Sequence, residues 1–264
     1  MPRLLFAPRT HAFAVVRMDP VAMVQHLEDP EALRAAEALS PRSYLVYIDI
    51  DLALPFPGKP WYGFTMYPIG STLRPASEEE GITPDMCIPI FPNKVHPDGR
   101  APLPTEPVFP FDNCYFWSGL TMDVRIHARP EEFDWDETIL LPAGAVHCKW
   151  QDYQSADMAR QTRPQPACQP QPDPAEDGAA GTTTPLAGDT NSVYDNSVYS
   201  SSFVSNGTSE YPDTMDEVFG FSSSWKEVEL QPLFHLWCDV AANIKQDEIP
   251  SPLHLFEERD AIVK

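Results

Sequence analysis

The sequence predicts an α+β fold, predominantly antiparallel β, built as a sandwich or partly open barrel with a helical N-terminal edge and C-terminal helices. Three observations carry that expectation. Short stretches of β-branched and aromatic residues recur between residues 43 and 150, and Pro-Gly, Ile-Gly and Pro-Asp-Gly breaks separate them. Two Asp-Pro pairs near the start introduce segments suited to helix. After Pro232, apolar residues recur at spacings of three and four.

The elements follow in chain order. His11–Arg17 reads as a strand. Asp19-Pro20 and Asp29-Pro30 each supply an N-cap followed by a first helical residue, and the second opens an Ala/Leu/Glu segment ended by Ser40-Pro41. Ser43–Leu52 alternates: Val46, Ile48, Ile50 and Leu52 share the expected core face, while Tyr47, Asp49 and Asp51 share the other. Further strands are expected at 61–67, 86–91, 115–127, 138–141 and 145–150. Within Leu120–His127 the alternation is clean. Leu233, Leu236, Trp237, Val240, Ala241 and Ile244 fit one face of an amphipathic helix, and Ser251-Pro252 opens a second. That last pattern is unfinished at Lys264, as expected for one piece of a longer protein.

Composition narrows the function. The 264 residues include 39 acids and 18 bases, a formal charge of −21. Phosphate backbones and anionic membrane surfaces are bound through Lys and Arg, so neither nucleic acid nor membrane is expected as a partner. Thirty prolines exclude a coiled coil or a helix bundle. No apolar run approaches the roughly 20 residues of a membrane span, and the first residues lack a signal-peptide core. Cys87, Cys114, Cys148, Cys168 and Cys238 form no Cys-x-x-Cys pair, which suits a reducing compartment, cytoplasmic or nuclear, and offers no zinc-finger site.

Three sections are expected. Residues 1–160 form a β-rich domain with its N-terminal helical segment. Residues 161–215 form a mobile insertion, first Pro-rich and then Ser/Asn/Tyr-rich, with Asn-Ser-Val-Tyr repeated at 191–194 and 196–199 and many hydroxyls open to phosphorylation. Residues 216–264 form a helical segment that packs back on the β-rich domain, being too few to fold alone.

The strongest local pattern for chemistry is Asp136–His147, a strand entering Pro142-Ala143-Gly144 with His147 three residues on. It resembles the second conserved motif of cupins, which implies a metal held by that histidine inside a β-barrel. The family's Gly-Asp is replaced by Asp136-Glu137, and its His-x-His with a following glutamate has no proper counterpart. A wider metal set joins His147 with His127 and His96, and with Asp98 or Asp123, donors suited to zinc, iron or manganese. The carboxylate pairs Asp49/Asp51 and Asp134/Asp136 each share a strand face and are read as solvated surface.

Aromatic residues beside rigid prolines supply the other candidate surface: Trp61, Tyr62 and Phe64, and Trp117. Nucleotide-binding glycine loops and the Gly-x-Ser-x-Gly elbow are absent. Together these readings favour a non-catalytic intracellular protein-binding or regulatory module, without cofactor, that acts on a basic protein partner. The alternatives are a metal-dependent cupin-like enzyme centred on His147, with one divalent metal, and a carbohydrate-binding or hydrolytic β-domain that uses Trp61, Trp117 and an aspartate pair.

Overall fold

A computed structural model describes residues 4–52, 54–129, 133–161 and 231–263. The tract expected to form an insertion between 161 and 215 lies outside the described residues. The architecture is the expected α+β fold, an antiparallel-rich β core with helices near both termini.

Five strands close into a barrel. They are β2 (Ala12–Met18), β3 (Ser43–Asp51), β4 (Trp61–Gly70), β7 (Met122–His127) and β10 (Leu233–Trp237). Each pairs with the next around the ring, and β10 pairs with β2 to complete it. Strand directions cannot alternate all the way round an odd-numbered ring, so one pair must be parallel. That pair is β7–β10. A parallel pair needs a long crossover, and residues 128–232 supply it. A bulge between Ile48 and Ile50 on β3 shifts its register against β4.

The barrel interior is apolar and full. Ala14, Val16, Val46, Ile48, Phe64, Met66, Val124, Ile126, Phe234 and Leu236 form one buried cluster, one face of each strand. Met23 of α1 (Pro20–Val24) and Leu255 of α5 (Pro252–Val263) join it. The Asp-Pro caps behave as the sequence predicts. Asp19 accepts from Ala22 N at 3.0 Å, and Asp29 accepts from Glu31 N at 2.8 Å at the start of α2 (Pro30–Ala38).

A second layer covers the outer face of β2, β3 and β4. Its cluster joins Phe13, Val15, Leu45, Tyr47 and Ile69 to Ile88, Leu103, Phe109, Phe116 and Trp150. The layer includes β5 (Cys87–Pro89) and β6 (Tyr115–Trp117), which extend the sheet from the end of β4, and α3 (Ala145–Gln161). β9 (Ile139–Leu140) pairs with β2, while β1 (Leu4–Leu5) and β8 (Phe133–Asp134) pair separately.

Several elements depart from the sequence expectation. Residues 145–150 open the helix α3 rather than a strand. Val146, Trp150, Tyr153, Gln154 and Asp157 face the core at helical spacing, but two of them are polar, which hides the period. Residues 233–237 form β10 rather than a helix, and only Val240–Asn243 (α4) continue helically. A long apolar run fits both periods, and completion of the barrel selects the strand. The single strand expected over 115–127 is two, β6 and β7, with a turn around Gly119 at φ +72°.

Candidate metal centre

Two compact clusters of two histidines and one aspartate lie on the outer wall of the barrel. The first contains His11, Asp49 and His147, and the second Asp19, His127 and His235. Within each, one donor atom per residue lies within 4.8 Å of the others.

The first cluster is assembled by the second layer. His11 ends the turn that leads into β2, Asp49 lies on β3, and His147 lies in the first turn of α3. Asp49 and Tyr47 share the outer face of β3, which the sequence reading left to solvent. Both are buried, Asp49 at 6% exposure, because α3 and the 103–116 segment cover that face. The His11 Nδ1 lies 3.6 Å from Asp49 Oδ1. The Tyr47 hydroxyl lies between the rings, 3.1 Å from His11 Nδ1 and 3.4 Å from His147 Nδ1. The two imidazoles meet edge to face, with centroids 4.3 Å apart. Trp150 supports His147 one turn along α3, at 5.2 Å.

The electrostatics suit a cation. Burial raises the Asp49 carboxyl above its ordinary value, and His11 partly offsets this. Burial, and then the neighbouring His11, lower the His147 imidazole, which favours its neutral, ligating form. Burial and the charge of Asp49 push the Tyr47 hydroxyl far up, so it stays protonated and offers one proton between the two rings. His11 holds a left-handed backbone at φ 60°, a conformation that costs a non-glycine residue about 1–2 kcal/mol. The surroundings hold it there: its N–H donates to Ile48 O at 2.7 Å, and its carbonyl accepts from Leu141 N at 2.9 Å. A cleft of about 360 Å³ opens beside His11, lined also by Arg9, Glu106, Leu140, Leu141 and Pro142.

The second cluster is tighter. Asp19 Oδ2 lies 3.1 Å from Nε2 of His127 and 3.1 Å from Nε2 of His235. The two rings stack with centroids 4.5 Å apart and planes 16° apart. Burial, and then His127, lower the His235 imidazole, while Asp19 opposes them.

The three histidines expected to share a metal are therefore separated. His147 belongs to the first cluster and His127 to the second. His96 belongs to neither; its Nε2 lies 3.0 Å from the carbonyls of Asp85 and Cys87. The cupin pattern implies a histidine inside the barrel, whereas His147 stands on a helix outside a packed interior. Of the aromatic candidates, Tyr62, Phe64 and Trp117 are buried and Trp61 is half-buried against the barrel cluster. Sequence reasoning missed His11, Asp19 and His235. Asp19 was visible only as a helix cap, and His235 was hidden by its assignment to a helix.

The chain matches no family model, and neither curated proteins nor solved structures show a significant similarity to it. Among the described residues, no helix is long and apolar enough to cross a membrane.

The expectation of a non-catalytic module without cofactor is overturned by the two clusters. Histidine and carboxylate donors gathered this closely form a plausible divalent-metal site, an arrangement a bare docking module does not need.

Proposed function

We propose that this protein is a metal-dependent enzyme whose centre is His11, Asp49 and His147. The observation that carries the reading is the convergence of two imidazoles and one buried carboxylate, of which His11 also lines an open cleft. Two histidines with one carboxylate suit zinc, iron or manganese and leave coordination positions free. A metal there supplies Lewis acidity and an acidified water. The chain's own groups do the rest: the Tyr47 hydroxyl offers a hydrogen bond between the rings, and Arg9 offers a positive charge to an anionic group in the cleft. Glu106 adds a carboxylate to the lining of the same cleft.

Other observations fit this reading. The formal charge of −21 attracts cations, a divalent metal among them. All four described cysteines are free, in keeping with a cytoplasmic or nuclear setting.

The test is elemental analysis and metal titration of the full chain after dialysis against a chelator. His147→Ala and Asp49→Asn should each remove the equivalent held at this centre. Wild-type uptake by both variants would overturn the proposal.

A further inference from the structure

The second cluster lies where the barrel closes. Asp19 directly follows β2, His127 is the last residue of β7, and His235 is the centre of β10. β10 has those two strands as its neighbours. Its parallel seam with β7 is short, registered only through Leu233↔Arg125 and Phe234↔Ile126. β10 is also the last barrel strand in the chain, at the end of a long connection whose closure costs entropy. The three donors therefore touch every strand that must meet to complete the ring.

The geometry points to a second divalent-metal site, at Asp19, His127 and His235, that acts as a structural clasp for β10. Bonds of about 2.0–2.1 Å in a tetrahedral site place ligand atoms roughly 3.3 Å apart. The two carboxylate–imidazole distances are 3.1 Å, so an ion fits after small side-chain rotations. The carboxylate is already oriented, because its other oxygen caps α1 through Ala22 N at 3.0 Å. The Asp19 backbone is fixed as well, with its N–H donating to Leu233 O at 2.8 Å. Three protein donors leave one position for water. The clasp ties β10 to both neighbours, and the ion binds the closed barrel far better than the open chain, so it stabilises the fold.

The experiment uses the full chain, stripped by chelator and titrated with Zn²⁺ alone, followed by calorimetry and thermal melting. Wild type should take up two equivalents, and saturation should raise the melting temperature by about 5–10 °C. His235→Gln and Asp19→Asn, the latter keeping its capping oxygen, should each take up one equivalent and lose most of that rise. His147→Ala should also lose one equivalent, and with it only the smaller part of the rise that the first centre contributes by mass action. If His235→Gln and Asp19→Asn keep both equivalents, or keep the rise, the clasp is refuted. A single wild-type equivalent that only His147→Ala removes also refutes it and leaves the first centre standing. A single equivalent that only His235→Gln and Asp19→Asn remove supports the clasp and refutes the first centre.

Discussion

Asp157 ties α3, which carries His147, to the 100–118 segment through a buried ion pair and hydrogen bonds. Its carboxylate is 1% exposed and accepts two parallel hydrogen bonds from Arg100, at 2.7 and 2.8 Å. The Ser118 hydroxyl donates to it at 2.6 Å. Asp157→Ala deletes all three and leaves the Arg100 guanidinium, 13% exposed, without its counter-charge. Breaking one side of a buried pair costs about 3–5 kcal/mol. Asp157→Asn keeps the shape and one acceptor, so its expected cost is smaller, about 1.5–3 kcal/mol. Replacing both partners by apolar residues, Arg100→Met with Asp157→Leu, removes the orphaned charge and should recover part of the loss, the buried Ser118 hydroxyl still lacking its acceptor. Urea unfolding of the full chain at neutral pH measures the series, with midpoints compared at constant slope. Metal uptake at the His147 centre should weaken in Asp157→Ala and return in the double variant. A loss under about 1 kcal/mol for Asp157→Ala, or a double variant as unstable as the single, would refute the reasoning.

Two further outcomes follow from local geometry. A Cβ at Gly70 would meet the Trp117 ring at 2.5–3.2 Å, and that ring is fixed by burial and by its donation to Thr72 O at 2.9 Å. Gly70→Ala should therefore cost about 1–3 kcal/mol, and an unchanged thermal midpoint would show that the ring can slide. The Arg160 guanidinium, 2.6 Å from Asp85, outweighs burial and, with Thr83, holds that carboxyl down to about 2 from an ordinary 3.8. A depressed carboxylate stabilises the fold fully above its unfolded value, and that stabilisation is lost as pH falls through the folded one. With Arg160 half-exposed, Asp85→Asn should cost only about 1 kcal/mol at pH 7. The gap to wild type should narrow below about pH 4 in urea midpoints, and a constant gap would count against the pair.

The strands with clean alternation were legible in the sequence. Ser43–Asp51 and Met122–His127 form where the pattern places them, because alternation sends one side of a strand to the core. The second layer also buries Tyr47 and Asp49, however, and beyond the bulge Ile50 and Leu52 are exposed rather than in the core. The Asp-Pro caps were legible for a similar reason, since capping is a local bond. α3 was not, because its inward face carries Gln154 and Asp157. Distant partners meet them, Gly119 N on the Gln154 carbonyl oxygen and Arg100 with Ser118 on Asp157, while the Gln154 amide nitrogen stays buried without a partner among the described residues. β10 was not legible either, since Leu233–Trp237 is apolar enough for either period and only the gap between β2 and β7 decides.

The candidate centre divides in the same way. The sequence singled out His147 and His127 as metal donors, because imidazole is a ligand wherever it stands. It could not pair them correctly. His11 and His147 lie 136 positions apart in the chain, yet their rings meet at 4.3 Å. That contact exists because α3 folds back over the outer face of β3. By itself, the sequence determined the β-rich class, the starts of α1, α2 and α5, the charge and the types of donor present, all of which are local or additive properties. Only the tertiary structure decided which donors converge, because convergence depends on closing a five-stranded ring and covering its wall, and those contacts join residues that no local pattern connects.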